Sequence, residues 1–130
     1  MALPNGTGGY QLGDGNLSEV NMVTQTAAVA KTAAAVLTAA ELTSGLITYS
    51  GAVANITLPT AALTDALVSS AKVNSAFDFS VINIGGTNTA TVVAGTGWTL
   101  VGTATVAANV SSLWRAVKTG DATWTAYRLA

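Results

Sequence analysis

Ala76–Ile84 reads AFDFSVINI, and this stretch decides the fold. Apolar and polar side chains alternate along it. Phe77, Phe79 and Val81 fall on one side, Asp78, Ser80 and Ile82 on the other, which is the period of a strand with one buried face. Gly85-Gly86-Thr87-Asn88 follows as a turn, and Thr89–Ala94 is the next strand. Gly95-Thr96-Gly97 turns again, and Trp98–Val101, Thr103–Ala107, Ser111–Lys118 and Ala122–Leu129 continue the series. The last two form a hairpin through Thr119-Gly120-Asp121, with the glycine expected to supply a positive φ.

Working back toward the N-terminus, Thr60–Ser70 (TAALTDALVSS) is the best helix, with Thr60 as N-cap and Leu63, Ala66 and Leu67 as its buried stripe. Asp65 is expected to face elsewhere. Val53–Leu58 and Leu46–Ser50 are strands, stopped by Pro59 and punctuated by Gly51. Thr38-Ala39-Ala40-Glu41 has the spacing of a capping box, and Thr43-Ser44-Gly45 ends that helix after little more than one turn. Thr26–Thr38 (TAAVAKTAAAVLT) has the alanine of a helix but the threonine, valine and alternation of a strand, and is read as a strand. Leu17–Gln25 alternates imperfectly, with Val20, Met22 and Thr24 on one face.

From residue 46 onward strands recur every eight to twelve residues, the spacing of an all-β domain. The expected fold is mainly β, an antiparallel β-sandwich or barrel with one or two short helices. Residues 1–20 are expected to form an extended N-terminal arm and residues 21–130 the β-rich body. Met1–Asn16 is glycine-rich, with Pro4 and Asn5-Gly6 as turn formers. It reads either as a solvated tail or as an arm that orders on a neighbouring subunit, with Tyr10 and Leu12 as anchors. Gly13 and Asp14 complete the expected contact segment.

The chain has 130 residues, of which 50% are hydrophobic and only 8% charged. A typical soluble domain is about 25% charged. Much of the surface is therefore expected to be covered, most simply by copies of the chain or by a larger assembly. There is no cysteine and no histidine, which removes disulfides, thiolate sites and the commonest neutral-pH base and metal ligand. The net charge is −1, with basic residues scattered rather than clustered, so neither nucleic-acid nor membrane-surface binding is expected. Ala27–Ala40 is too short and too interrupted, at Lys31, to span a bilayer. The N-terminus lacks the basic and apolar regions of a secretory signal. The reading is a soluble protein made in the cytoplasm, without catalytic residues, metal or cofactor.

Individual residues carry little chemistry. The six acids are dispersed, and Gly13-Asp14-Gly15-Asn16 is too short for a calcium loop. Lys31, Lys72 and Lys118 have no serine placed beside them in a recognised nucleophile pattern. Asp78 is expected to pair across strands with Arg115 or to face solvent. Trp98, Trp114 and Trp124 either fill the core or face a partner, and Trp114 and Trp124 are the candidates for packing between subunits.

Gly6–Val20 (GTGGYQLGDGNLSEV), Thr32–Ala62, Phe77–Gly102 and the terminal WTAYRL of Trp124–Leu129 resemble small structural proteins of tailed bacteriophages, in particular head decoration (cement) proteins. The resemblance covers most of the chain. It implies a homotrimer on the outer capsid surface of the virion, clamping subunits of the major capsid protein, with the arm on the shell or a neighbouring protomer. It carries no catalytic residues. Similar bodies in phage fibres and tail appendages give the alternative, a receptor- or glycan-binding module.

Overall fold

The computed structural model describes residues 24–130. The elements run β1 (Val29–Lys31), β2 (Ala35–Val36), α1 (Ala39–Ser44), β3 (Leu46–Tyr49), β4 (Ala54–Thr57), α2 (Ala61–Leu67), β5 (Ala76–Asn83), β6 (Ala90–Val93), β7 (Trp98–Val101), β8 (Thr105–Val106), β9 (Ser111–Gly120) and β10 (Thr123–Arg128). They build a mainly β domain of two sheets. A six-stranded sheet has the order β1-β3-β5-β9-β10-β7 and a four-stranded sheet the order β2-β4-β6-β8. Both layers contribute to one core, in which Ile47, Phe79, Val81, Trp114 and Trp124 from the larger sheet meet Ile56, Val92 and Val106 from the smaller.

The strand pairing is mixed, where the sequence suggests antiparallel ladders. β1, β3 and β5 run parallel in one sheet, and β2, β4 and β6 run parallel in the other. The cause is the path of the chain. From β1 to β9 each strand of one sheet is followed by a strand of the other, so the backbone winds around the core in successive turns. Parallel neighbours need long crossovers, and here every crossover includes a strand of the opposite layer. The segment Thr26–Thr38, expected as a single strand, accordingly splits into β1 and β2 on opposite sheets.

Successive windings are bonded to one another at both ends. At one end Ser50 N donates to Lys31 O and Ile84 N to Tyr49 O, while the Asn88 side-chain amide donates to Gly51 O. At the other, Leu37 N donates to Thr57 O and Leu58 N to Val93 O. A Cβ on Gly51 would collide with the carbonyl of Thr32, which is the physical reason for glycine in that turn.

The two helices fill equivalent places, each carrying the chain from the smaller sheet back to the larger. In α1 the capping box is complete. Thr38 Oγ1 accepts from Glu41 N at 3.1 Å and Glu41 Oε1 from Thr38 N at 2.9 Å. Gly45, at φ +85°, closes the helix in the left-handed conformation. Lys31 Nζ also donates to Glu41, at 2.9 Å. In α2 the N-cap is Thr60, whose hydroxyl accepts from Leu63 N.

The buried face of α2 is not the expected one. Leu63 and Leu67 are 58% and 50% exposed, and Ala66 is exposed too, whereas Ala61 and Thr64 are fully buried and Val68 packs against the core. The helical period is legible in the sequence but its phase is not. Position four after the cap, Leu42 in α1 and Thr64 in α2, is buried in both helices. Position three, Glu41 or Leu63, points outward in both, so a leucine stands where α1 has a charge.

The β9–β10 hairpin is tighter than expected. Its loop is Asp121-Ala122, and the residue with positive φ is Ala122, at +50°, not Gly120. A register shift between Thr123 and Trp124 marks a bulge beside it.

Candidate interaction surface

Most charged side chains of the body, those of Lys31, Glu41, Asp65, Asp78, Arg115, Lys118 and Arg128, are engaged within it. Asp65, expected to face elsewhere than the stripe of Leu63, Ala66 and Leu67, is half-buried at the junction of α2 and the β9–β10 hairpin. Its Oδ1 accepts from Trp124 Nε1 at 2.7 Å and lies 3.2 Å from Lys118 Nζ, and its Oδ2 accepts from Ala122 N at 2.7 Å. Burial on its own would raise this carboxyl, but the hydrogen bonds from Ala122, Trp124 and Lys118 outweigh it and hold Asp65 below the ordinary carboxylate value. Glu41 is held down by the backbone N–H of Thr38 and then by Lys31. Among the described residues no three acidic, histidine or cysteine side chains converge as a metal site would require. No described helix is long and apolar enough to cross a membrane.

Arg128, near the open edge of the smaller sheet, is occupied in the same way. Its Nη1 donates to Thr103 O at 2.9 Å and Thr105 O at 2.6 Å, tying β10 to β8. A shallow groove beside it is lined by Gly102, Ala107, Val110 and Leu129. The guanidinium is thus committed to backbone carbonyls at the groove's wall.

The tryptophans answer the choice between core and partner. Trp114 and Trp124 are 0% and 1% exposed, and Trp98 is buried beside them. Trp114 stacks on Phe79 with centroids 6.1 Å apart, and Trp98 stacks on Trp124 at 5.7 Å. The expectation that Trp114 and Trp124 pack between subunits is therefore corrected, since both side chains are consumed by the protomer's own core. Alternation explains the outcome: Ser112, Trp114, Ala116 and Lys118 share the inner face of β9, and Trp124 and Ala126 that of β10. Trp114 Nε1 is satisfied by Ser112 Oγ at 3.0 Å, which itself donates to Val81 O. The arm residues Tyr10, Leu12, Gly13 and Asp14 lie outside the described residues.

The surface that stands out is the outer face of the six-stranded sheet, over which no described element packs. Its central strands present Leu113 on β9 and Tyr127 on β10, 36% and 40% exposed, with Val101 on the edge strand β7 and Leu129 just beyond β10. Threonines fill much of the remainder, among them Thr48, Thr99 and Thr125. The charges on this face are Asp78 and Arg115, directly opposite each other on β5 and β9. The expected cross-strand pair is present and two-pronged, with Nε to Oδ1 at 2.8 Å and Nη2 to Oδ2 at 3.2 Å. The guanidinium of Arg115 holds the Asp78 carboxyl below its ordinary value, the charge pairing adding to the hydrogen bond. Sequence reasoning identifies the pair but not the face around it, because which strands become neighbours is not written in the alternation of any one of them.

No family model matches the chain, and neither does any curated protein or solved structure.

Proposed function

We propose that this chain acts by contact rather than by reaction, as a virion structural protein: a capsid decoration protein that sits as a homotrimer on the outer shell, against the major capsid protein, and stabilises it. The observation that carries the reading is the outer face of the six-stranded sheet, which no described element covers and which is broad, carries only Asp78 and Arg115 as charges among the described residues, and is rich in threonine, valine, leucine and tyrosine. Burying such a surface stabilises by about 25 cal/mol per Å² of apolar area. Its short and β-branched side chains lose little rotamer freedom when covered. Repetition of one modest contact over a lattice multiplies it into tight attachment. The sparse charge of the whole chain and the sequence stretches that resemble decoration proteins support the same reading.

The test is co-sedimentation of the purified full chain with heads assembled from the major capsid protein of the same virus. The chain is expected to pellet at a fixed saturating ratio and to raise the temperature at which the heads rupture. A chain that stays in the supernatant at every concentration overturns the proposal. If it then binds a glycan array, the receptor-binding fibre module takes its place.

A further inference from the structure

We infer that the outer face of the six-stranded sheet is the surface through which copies of this chain meet, with Asp78 of one copy facing Arg115 of the next. This rests on the reading that the chain works by assembly, and it names the surface used.

Two observations point to another copy as the occupant. The first is charge. Asp78 and Arg115 are adjacent, opposite in sign, and 43% and 51% exposed as side chains. Their mutual pairing uses Nε and one Nη2 contact of the guanidinium. Among the described residues the other N–H groups of Arg115 and the remaining lone pairs of Asp78 meet no side chain, and they can take a second partner in front of the sheet. A strongly basic or acidic partner would satisfy one of the two and oppose the other. A surface carrying the same two charges satisfies both, and in a closed ring each Asp78 meets the Arg115 of its neighbour.

The second is area. Strands of three, four, eight, ten, six and four residues, at ~3.3 Å per residue and ~4.8 Å between strands, make a face of roughly 550 Å² before flanking loops are added. That is the order of the ~800 Å² each partner contributes to a stable specific interface. Leu113 and Tyr127 lie next to the ion pair, since Arg115 is directly opposite Tyr127 and two residues from Leu113. Apolar contact thus surrounds the charges and would exclude water from them, which is where a charge pair discriminates between partners most strongly.

The experiment uses the full chain and reads its mass in solution by light scattering. Wild type is expected to be an oligomer. Asp78→Arg and Arg115→Asp each place like charges together and should weaken association at least about tenfold. The double exchange D78R/R115D restores both the pair within the chain and the match between copies, so its oligomer should return. Wild type and the double exchange should nevertheless refuse to mix, because a mixed contact sets guanidinium against guanidinium and carboxylate against carboxylate. Native mass spectrometry of a mixture reads this directly. Leu113→Lys, which leaves the ion pair intact, should also weaken the oligomer, with circular dichroism showing that each variant is folded.

A monomeric wild type, an oligomer indifferent to the charge reversals, or free mixing of wild type with the double exchange would each overturn the inference. A wild-type monomer whose Leu113 face is shielded only while residues 1–23 are present would place that segment, not a second copy, on the sheet. A monomer that still sediments with heads sinks this inference and leaves the decoration reading standing. An oligomer with the expected exchange behaviour that ignores heads does the reverse.

Discussion

The carboxylate of Asp65 accepts the indole N–H of Trp124 at 2.7 Å, across the junction between α2 and the β9–β10 hairpin. Its second oxygen accepts the backbone N–H of Ala122, the left-handed residue of the hairpin loop. Lys118, itself nearly buried, completes the cluster. Removing the carboxylate leaves an indole and a backbone N–H without their acceptor, and leaves the Lys118 ammonium with only the Ala71 carbonyl, at 3.4 Å. Asp65→Ala is therefore expected to cost about 2–4 kcal/mol of stability by urea denaturation. Asp65→Asn, which keeps an acceptor oxygen but loses the charge facing Lys118, should recover part of that loss. Equal stability of wild type and Asp65→Ala would show that the cluster is incidental.

The same carboxylates set the response to acid. Asp65, Glu41 and Asp78 are all held below their ordinary values in the folded chain. A group depressed on folding contributes stability that is fully present above its unfolded value and lost as pH falls through its folded one. The melting temperature is thus expected to hold down to about pH 5 and then to fall progressively as pH drops through and beneath the ordinary carboxylate range near 4. Asp78, close to half-exposed, should contribute least, because solvent screens its pairing. Asp65→Asn should flatten the acid limb, and an unchanged slope in that variant would assign the loss elsewhere.

The two helices offer a direct contrast. Leu42 is fully buried and Leu63, one position earlier relative to its own cap, is mostly exposed. Leu42→Ala is expected to cost about 2–5 kcal/mol. Leu63→Ser should change stability by no more than about 0.5 kcal/mol. Comparable losses at the two sites would mean that α2 buries the leucine stripe after all.

Ala122 occupies a backbone conformation that costs a residue with a Cβ about 1–2 kcal/mol. Ala122→Gly removes that strain while keeping the N–H that Asp65 accepts. Set against the greater freedom of glycine in the unfolded chain, the expected gain is about 0.5 kcal/mol. A lower midpoint of denaturation would show that the methyl group contributes packing that outweighs the strain.

Those outcomes separate what local sequence specifies from what it leaves open. The capping box at Thr38–Glu41, the alternation of Phe77, Phe79 and Val81, and the pairing of Asp78 with Arg115 are all legible. Each depends on neighbours along the chain or on a single strand's two faces. The parallel stacking of β1, β3 and β5 is not, since a period of two says which way side chains point but not which strand comes alongside. The inward phase of α2 is hidden for a related reason. Two leucines outweigh Ala61 and Thr64 on any hydrophobicity scale, yet it is Ala61 and Thr64 that the helix turns to the core. The role of Asp65 escapes a sequence reading because its partners lie in a hairpin more than fifty residues further on. Trp114 and Trp124 stand on strands as expected but pack within the protomer rather than between subunits, because a large aromatic serves a core and an interface equally well.

The alternation of strands between the two layers bears on how such a protein can change length. The lap from Thr38 to Pro59 rests on the lap before and the lap after, and the terminal hairpin pairs with strands that follow it, β5 and β7. Duplicating that segment would thicken the domain by one storey, about 4.8 Å, without disturbing either end. Height is then an adjustable dimension of this architecture, set by how many times the chain goes round.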